Sequence, residues 1–159
     1  PSGAIHKGGV GGSSRELGYR VITMQEFEEL GVARTVELIR ERVGDAPAYI
    51  TFDLDCMDPS VAPGVSNLEP GFSGFTIREA TRLLQGLKGL DIIGGDVVCL
   101  MPTKDSPNQI TAQMAMVMMT EAASVSLAPS SSDRLVARHK ANQDLVGHHE
   151  SYDNHKSCH

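Results

Sequence analysis

Apolar positions along the chain fall into two alternating rhythms. Tyr19-Arg20-Val21-Ile22 is a short β-like run, and Thr23 with Glu26 three residues on forms a capping box that predicts a helix start. Leu30, Val36, Ile39 and Val43 then repeat at near-helical spacing until Gly44-Asp45-Ala46-Pro47 supplies a stop. Tyr49 to Leu54 reads as a second strand, followed by a loop rich in Pro and Gly that runs to Gly74. A second capping box, Thr76 with Glu79, opens a helix whose Ala80, Leu83, Leu84 and Leu87 share one face. Asp91 to Leu100 is almost continuously apolar apart from Asp96, which predicts a strand buried on both sheet faces. Ser106-Pro107-Asn108-Gln109 predicts a third cap, with Pro at the first helical position. The helix behind it carries Met114, Met116, Met118 and Met119, residues suited to filling irregular core space.

Strands alternating with helices predict right-handed crossovers and a parallel sheet covered by helices on both faces, an α/β architecture. Ligands of such sheets gather beyond the carboxyl ends of the strands, where Asp53, Asp55 and Cys99 fall. The patterned region spans 18–127. Residues 1–17 read as a flexible Gly/Ser-rich lead-in without a phosphate-loop pattern, and 128–159 as a polar, disordered tail.

Composition narrows the function classes. A chain of 159 residues with 40% apolar and 21% charged residues predicts one globular core. The net charge of −6 and the lack of a long basic run argue against nucleic acid as a partner. No apolar stretch approaches the roughly 18 residues of a spanning helix, and no signal-peptide core opens the sequence, so no membrane is expected. Cys56, Cys99 and Cys158 are odd in number and widely spaced, which fits a reducing, cytoplasmic (or mitochondrial) setting better than a disulfide framework.

Candidate chemistry centres on Tyr49 to Gly64. Strand alternation predicts that Thr51, Asp53 and Asp55 share one face, aiming two carboxylates into one small volume. Like charges so placed raise one another's pKa unless a cation intervenes, and all-oxygen donors favour Mg²⁺ or Mn²⁺. Asp58, before Pro59, is placed to cap the turn or to orient a ligand. The plainer alternative is that these aspartates only cap a βα loop. Phe52-Asp53-Leu54-Asp55 also resembles the nucleophile motif of haloacid-dehalogenase-like phosphatases, a family that continues with Thr or Val where this chain has Met57.

The longer stretch FDLDCMDPSVAPGVSNLEPG, with GGDVVCLMP some forty residues later, resembles the C-terminal half of the ureohydrolases, the arginase and agmatinase family. Its most specific part is Asp53-x-Asp55-x-x-Asp58-Pro59-x-x-Ala62-Pro63-Gly64, within a likeness running from Gly18 to Leu127. The resemblance implies a three-layer α/β/α sandwich with a mainly parallel sheet, here incomplete. It further implies that Asp53 and Asp55 ligate manganese in a two-ion site, and that a small guanidino substrate is hydrolysed to release urea. Asn67 then belongs to the loop lining the pocket, Asp96 lies near the metal cluster, and the whole protein is a homo-oligomer.

Departures from the family pattern are equally specific. The family's earlier Asp-Ala-His-x-Asp motif has no counterpart, and His6 is the only histidine before His139, so the chain offers at most half of the ligand set. Cys99 stands where the arginase and agmatinase branches usually carry a Glu that pairs with the guanidinium. Gly71-Phe72-Ser73-Gly74 replaces a shorter family loop. His148, His149, His155, His159 and Cys158 match no established zinc spacing and read as part of the polar tail. The expectation is a metal-dependent ureohydrolase of which this chain carries part of the site and is inactive alone, with a non-catalytic module of the same fold as the alternative.

Overall fold

The computed structural model describes residues 16–68 and 74–127, together with Asp133, Val136 and Lys140. Among the described residues, three helices and two strands follow one another as α1 (Met24–Val43), β1 (Ala48–Asp53), α2 (Ile77–Gly86), β2 (Ile92–Val98) and α3 (Ile110–Ser126). β1 and β2 pair in parallel, with Thr51 opposite Asp96 and Asp53 opposite Val98. The result is an incomplete α/β fold. None of the described helices is long and apolar enough to cross a membrane.

Local chemistry accounts for most element boundaries. Thr23 Oγ1 accepts from the Glu26 amide at 3.2 Å and starts α1. The reciprocal half of that box is replaced by a pairing of the Glu26 carboxylate with Arg20. Gly31 breaks the helical path at φ 69°, splitting α1 at a kink, and Gly44 ends it at φ 57°. Thr76 and Glu79 form a complete reciprocal box at the start of α2. Gly86 ends α2 where it meets α1: a Cβ there would lie 2.5 Å from Val36 Cγ2, and the Gly86 carbonyl accepts from Arg40 at 2.9 Å.

Two buried clusters join the helices to a single sheet face. Phe52, Leu54, Met57, Ala62, Val65, Ala80, Leu84, Met114 and Met118 form the larger one, with Ile50 and Val97 against it. Leu87, Leu90, Ile92 and Val125 form the smaller, touched by Ile39 and Val43 of α1. Phe27 closes the first cluster edge-on to Phe75, with ring centres 4.7 Å apart.

Four expectations need correction. Tyr19 to Ile22 forms no strand, because no other described segment pairs with its backbone. β2 is not buried on both faces: Ile93 and Val98 are exposed, as is Tyr49 on β1, and among the described residues the helices cover one side only. Ser106 to Gln109 does not form the third cap as predicted. α3 begins at Ile110 after a left-handed Gln109, and Asp105 caps it instead by accepting from the Thr111 and Ala112 amides at 3.1 and 3.0 Å. Of the four methionines, Met114 and Met118 are core, while Met116 and Met119 are exposed. The Gly71-Phe72-Ser73 insert, all but the end of the expected lead-in, and the expected polar tail with its histidines and Cys158, apart from Asp133, Val136 and Lys140, lie outside the described residues.

Candidate metal centre

β1 ends at Asp53, and the same side chain starts the next element. Asp53 Oδ1 accepts from the Asp55 amide at 3.3 Å, capping a single 3₁₀ turn, Leu54–Cys56. Asp55 therefore reaches the neighbourhood of Asp53 through a turn and not through strand alternation, a correction to the sequence argument that leaves its outcome intact. β2 delivers the third group. Just past its end Cys99 adopts φ 67°, a left-handed conformation uncommon outside glycine. One carboxylate oxygen of Asp53, one of Asp55 and the Cys99 Sγ lie within 4.8 Å of one another, all half-buried.

The loop after the 3₁₀ turn frames this trio. Asp58 Oδ1 accepts from the Ser60 amide at 2.8 Å and from its hydroxyl, which holds the Asp58 carboxyl below its ordinary range and makes it the brace of the Pro59 turn. The loop returns alongside the strand end: Val65 bridges Leu100, the Ser66 amide donates to the Cys99 carbonyl at 3.2 Å, and the Met101 amide donates to the Gly64 carbonyl at 2.8 Å. Gly64 is the tightest point. A Cβ there would sit 2.6 Å from Asp105 Cβ, and its amide donates to the buried Thr111 Oγ1 at 2.8 Å. Gly74 is similarly enclosed, with a Cβ only 2.3 Å from the Met57 carbonyl carbon.

Asp58 and Asp96 are outside the trio. Asp96 faces the same side of the sheet as Thr51 and accepts from the Tyr49 hydroxyl at 3.2 Å through Oδ2, while its Oδ1 is buried without a protein partner. Asn67 is exposed, one residue after Ser66. Gly64, expected from the sequence to turn this loop, does so, whereas Ser66, Gly74 and Asp105 are positioning residues missed in the sequence. The Asp105 preceding Ser106-Pro107 was the signal available.

The two carboxylates act on both nearby thiols. The Cys99 thiol is pushed up to about 11, chiefly because it donates to the Asp53 carboxylate, then by burial and the charges of Asp53 and Asp55, with Ser66 pulling the other way. Cys56 is pushed up to about 12 by burial first and by the same two carboxylates next. With no cation beside them both thiols stay protonated at neutral pH, so neither is poised as a nucleophile. Two carboxylates and a sulfur converging on one point form a donor set that fits a divalent ion.

The sequence pattern of the Arginase family matches residues 7–124. This chain belongs to the arginase family. It is 45% identical over 108 residues to a guanidinopropionase of Pseudomonas aeruginosa, covering 68% of this chain and 33% of that protein. It is 43% identical over 99 residues to an agmatinase of Neisseria meningitidis, covering 62% and 31%. Among solved structures, proclavaminate amidino hydrolase from Streptomyces clavuligerus superposes with a TM-score of 0.69 at 37% identity, over 77% of this chain and 39% of that one. Arginase from Bacillus caldovelox gives 0.60 at 32% identity, over 68% and 36%. The chain thus spans about a third of the length of the relatives it matches. Membership removes the basis of the phosphatase reading of Phe52-Asp53-Leu54-Asp55.

Proposed function

We propose that this chain carries part of the active site of a manganese-dependent ureohydrolase acting on a small guanidino compound. The observation that supports this most is the meeting of Asp53 and Asp55 at the end of a parallel strand in an arginase-family chain. The names of its relatives, guanidinopropionase and agmatinase, share the guanidino group as substrate chemistry.

Asp53 and Asp55 are the residues that would hold the ions. A divalent pair, when bound, supplies Lewis-acid polarisation and makes water nucleophilic near neutral pH. The remaining work belongs to this chain's own groups. The two carboxylates draw a cationic guanidinium towards the strand end. Asp58 keeps the Pro59–Gly64 turn closed, and the Asn67 segment lines the approach. Cys99 provides no carboxylate to anchor the guanidinium, so substrate choice differs from that of relatives with an acid there. No Asp-x-His-x-Asp motif occurs in the 159 residues, and the chain by itself releases little or no urea.

The test is a chimera in which residues 18–127 replace the matching segment of the Pseudomonas aeruginosa guanidinopropionase. With Mn²⁺ present it releases urea from a guanidino compound, and Asp53→Ala or Asp55→Ala lowers the rate by about 10²-fold or more. An unchanged rate in either variant contradicts the reading.

A further inference from the structure

We propose that Cys99 is a third protein donor of this metal site, and that it gives the site an affinity for thiophilic divalent ions such as Zn²⁺ or Co²⁺ that the two carboxylates alone do not supply. The proposal rests on the reading that Asp53 and Asp55 hold a divalent ion. Its own ground is geometric: the Cys99 Sγ shares the 4.8 Å cluster with one oxygen of each carboxylate.

The sulfur is held there by its backbone. Cys99 sits at φ 67°, its carbonyl accepts from Ser66, Leu100 is bridged to Val65, and Met101 is bonded to Gly64. Every residue from 99 to 101 is thus tied to the loop that follows Asp55, which fixes the point from which the Cys99 side chain leaves the backbone. On ligation the S–H bond breaks, the proton leaves to solvent and the sulfur–metal bond forms in its place. An all-oxygen set suits Mn²⁺, whereas a thiolate adds affinity for softer ions. Cys56, although close in sequence, is not part of the cluster.

Titration of the full chain with Co²⁺ reads the bond directly, since a thiolate ligand produces a near-ultraviolet charge-transfer band. The band is expected in the unmodified chain and in Cys56→Ser and Cys158→Ser, and is expected to vanish in Cys99→Ser. Zn²⁺ binding, followed by competition with a chromophoric chelator, weakens in Cys99→Ser by more than about tenfold, the loss typical even of a ligand's outer partners, while Mn²⁺ binding changes little. Co²⁺ binding that depends on Asp53 and Asp55 but shows no band overturns the role of Cys99 and leaves the metal reading standing. A band that persists in Cys99→Ser also overturns it. If Co²⁺ binds and Asp53→Asn and Asp55→Asn leave that binding unchanged, the metal reading fails and the proposal fails with it.

Discussion

The loop beyond β1 and the open side of the sheet lie a few residues apart and are built in opposite ways. Leu54, Met57, Ala62 and Val65, all in or beside an irregular loop, are at most 2% exposed. Tyr49 and Ile93, in regular strands, are 58% and 68% exposed. Loops ordinarily run over the surface because their backbone groups need water. Here Phe75, Cys99, Met101 and Thr111 satisfy those groups from within the protein, which lets the loop serve as core. The spacing of Asp53, Asp55 and Cys99 is consequently tied to packing inside residues 52–126.

The largest effect is expected from Leu54→Ala, which empties a fully buried site between the two aspartates and should destabilise by about 2–5 kcal/mol. Urea denaturation measures it, and an unmoved midpoint would show that the loop beyond β1 is not part of the core. Gly64→Ala comes next. The added methyl meets Asp105 and pushes the loop from α3, at a cost of about 1–3 kcal/mol and with weaker metal binding, because the same loop anchors Cys99.

Acidification probes the same joint more gently. Partial burial raises the Asp105 carboxyl, but hydrogen bonds from Thr111, Ala112 and Ser106 outweigh it, so its folded value lies below the ordinary one of about 4. A depressed carboxyl stabilises fully above its unfolded value, and that contribution is lost as pH falls through the folded value. Thermal melts should show the chain losing stability below about pH 4, and Asp105→Asn should reduce that loss while lowering the melting temperature by a few degrees at pH 7. Identical acid profiles for the two proteins would remove Asp105 from its capping role. The smallest effect belongs to the open face: Ile93→Thr should change stability by no more than about 0.5 kcal/mol. A larger loss would show that this face is packed in solution.

Much of this organisation was legible in the sequence because it is local. Caps at Thr23 and Thr76 are set within four residues, and the Tyr49–Leu54 and Asp91–Leu100 runs carry their strand character in their own side chains. The closeness of Asp53 and Asp55 was legible for a reason only half correct, since Asp55 arrives through a turn that Asp53 itself caps. What escaped were contacts between distant segments. Tyr19–Ile22 has strand composition but no described partner, and the cap of α3 depends on Asp105 being held against Gly64, forty-one residues earlier. Neither relation leaves a local signature. The Gly31 kink is an intermediate case: glycine in a helical stretch announced weakness, not the break that occurs.

The proposed function depends on Asp53 and Asp55 together holding a divalent ion. Equilibrium titration of the 159-residue chain with Mn²⁺, followed by loss of the free-ion electron-spin-resonance signal, tests it without requiring turnover. Weak but saturable uptake is predicted for the unmodified chain, falling to background in Asp53→Asn and in Asp55→Asn while Asp96→Asn retains it. Uptake that survives both substitutions, or no uptake by the unmodified chain at millimolar Mn²⁺, would contradict the account.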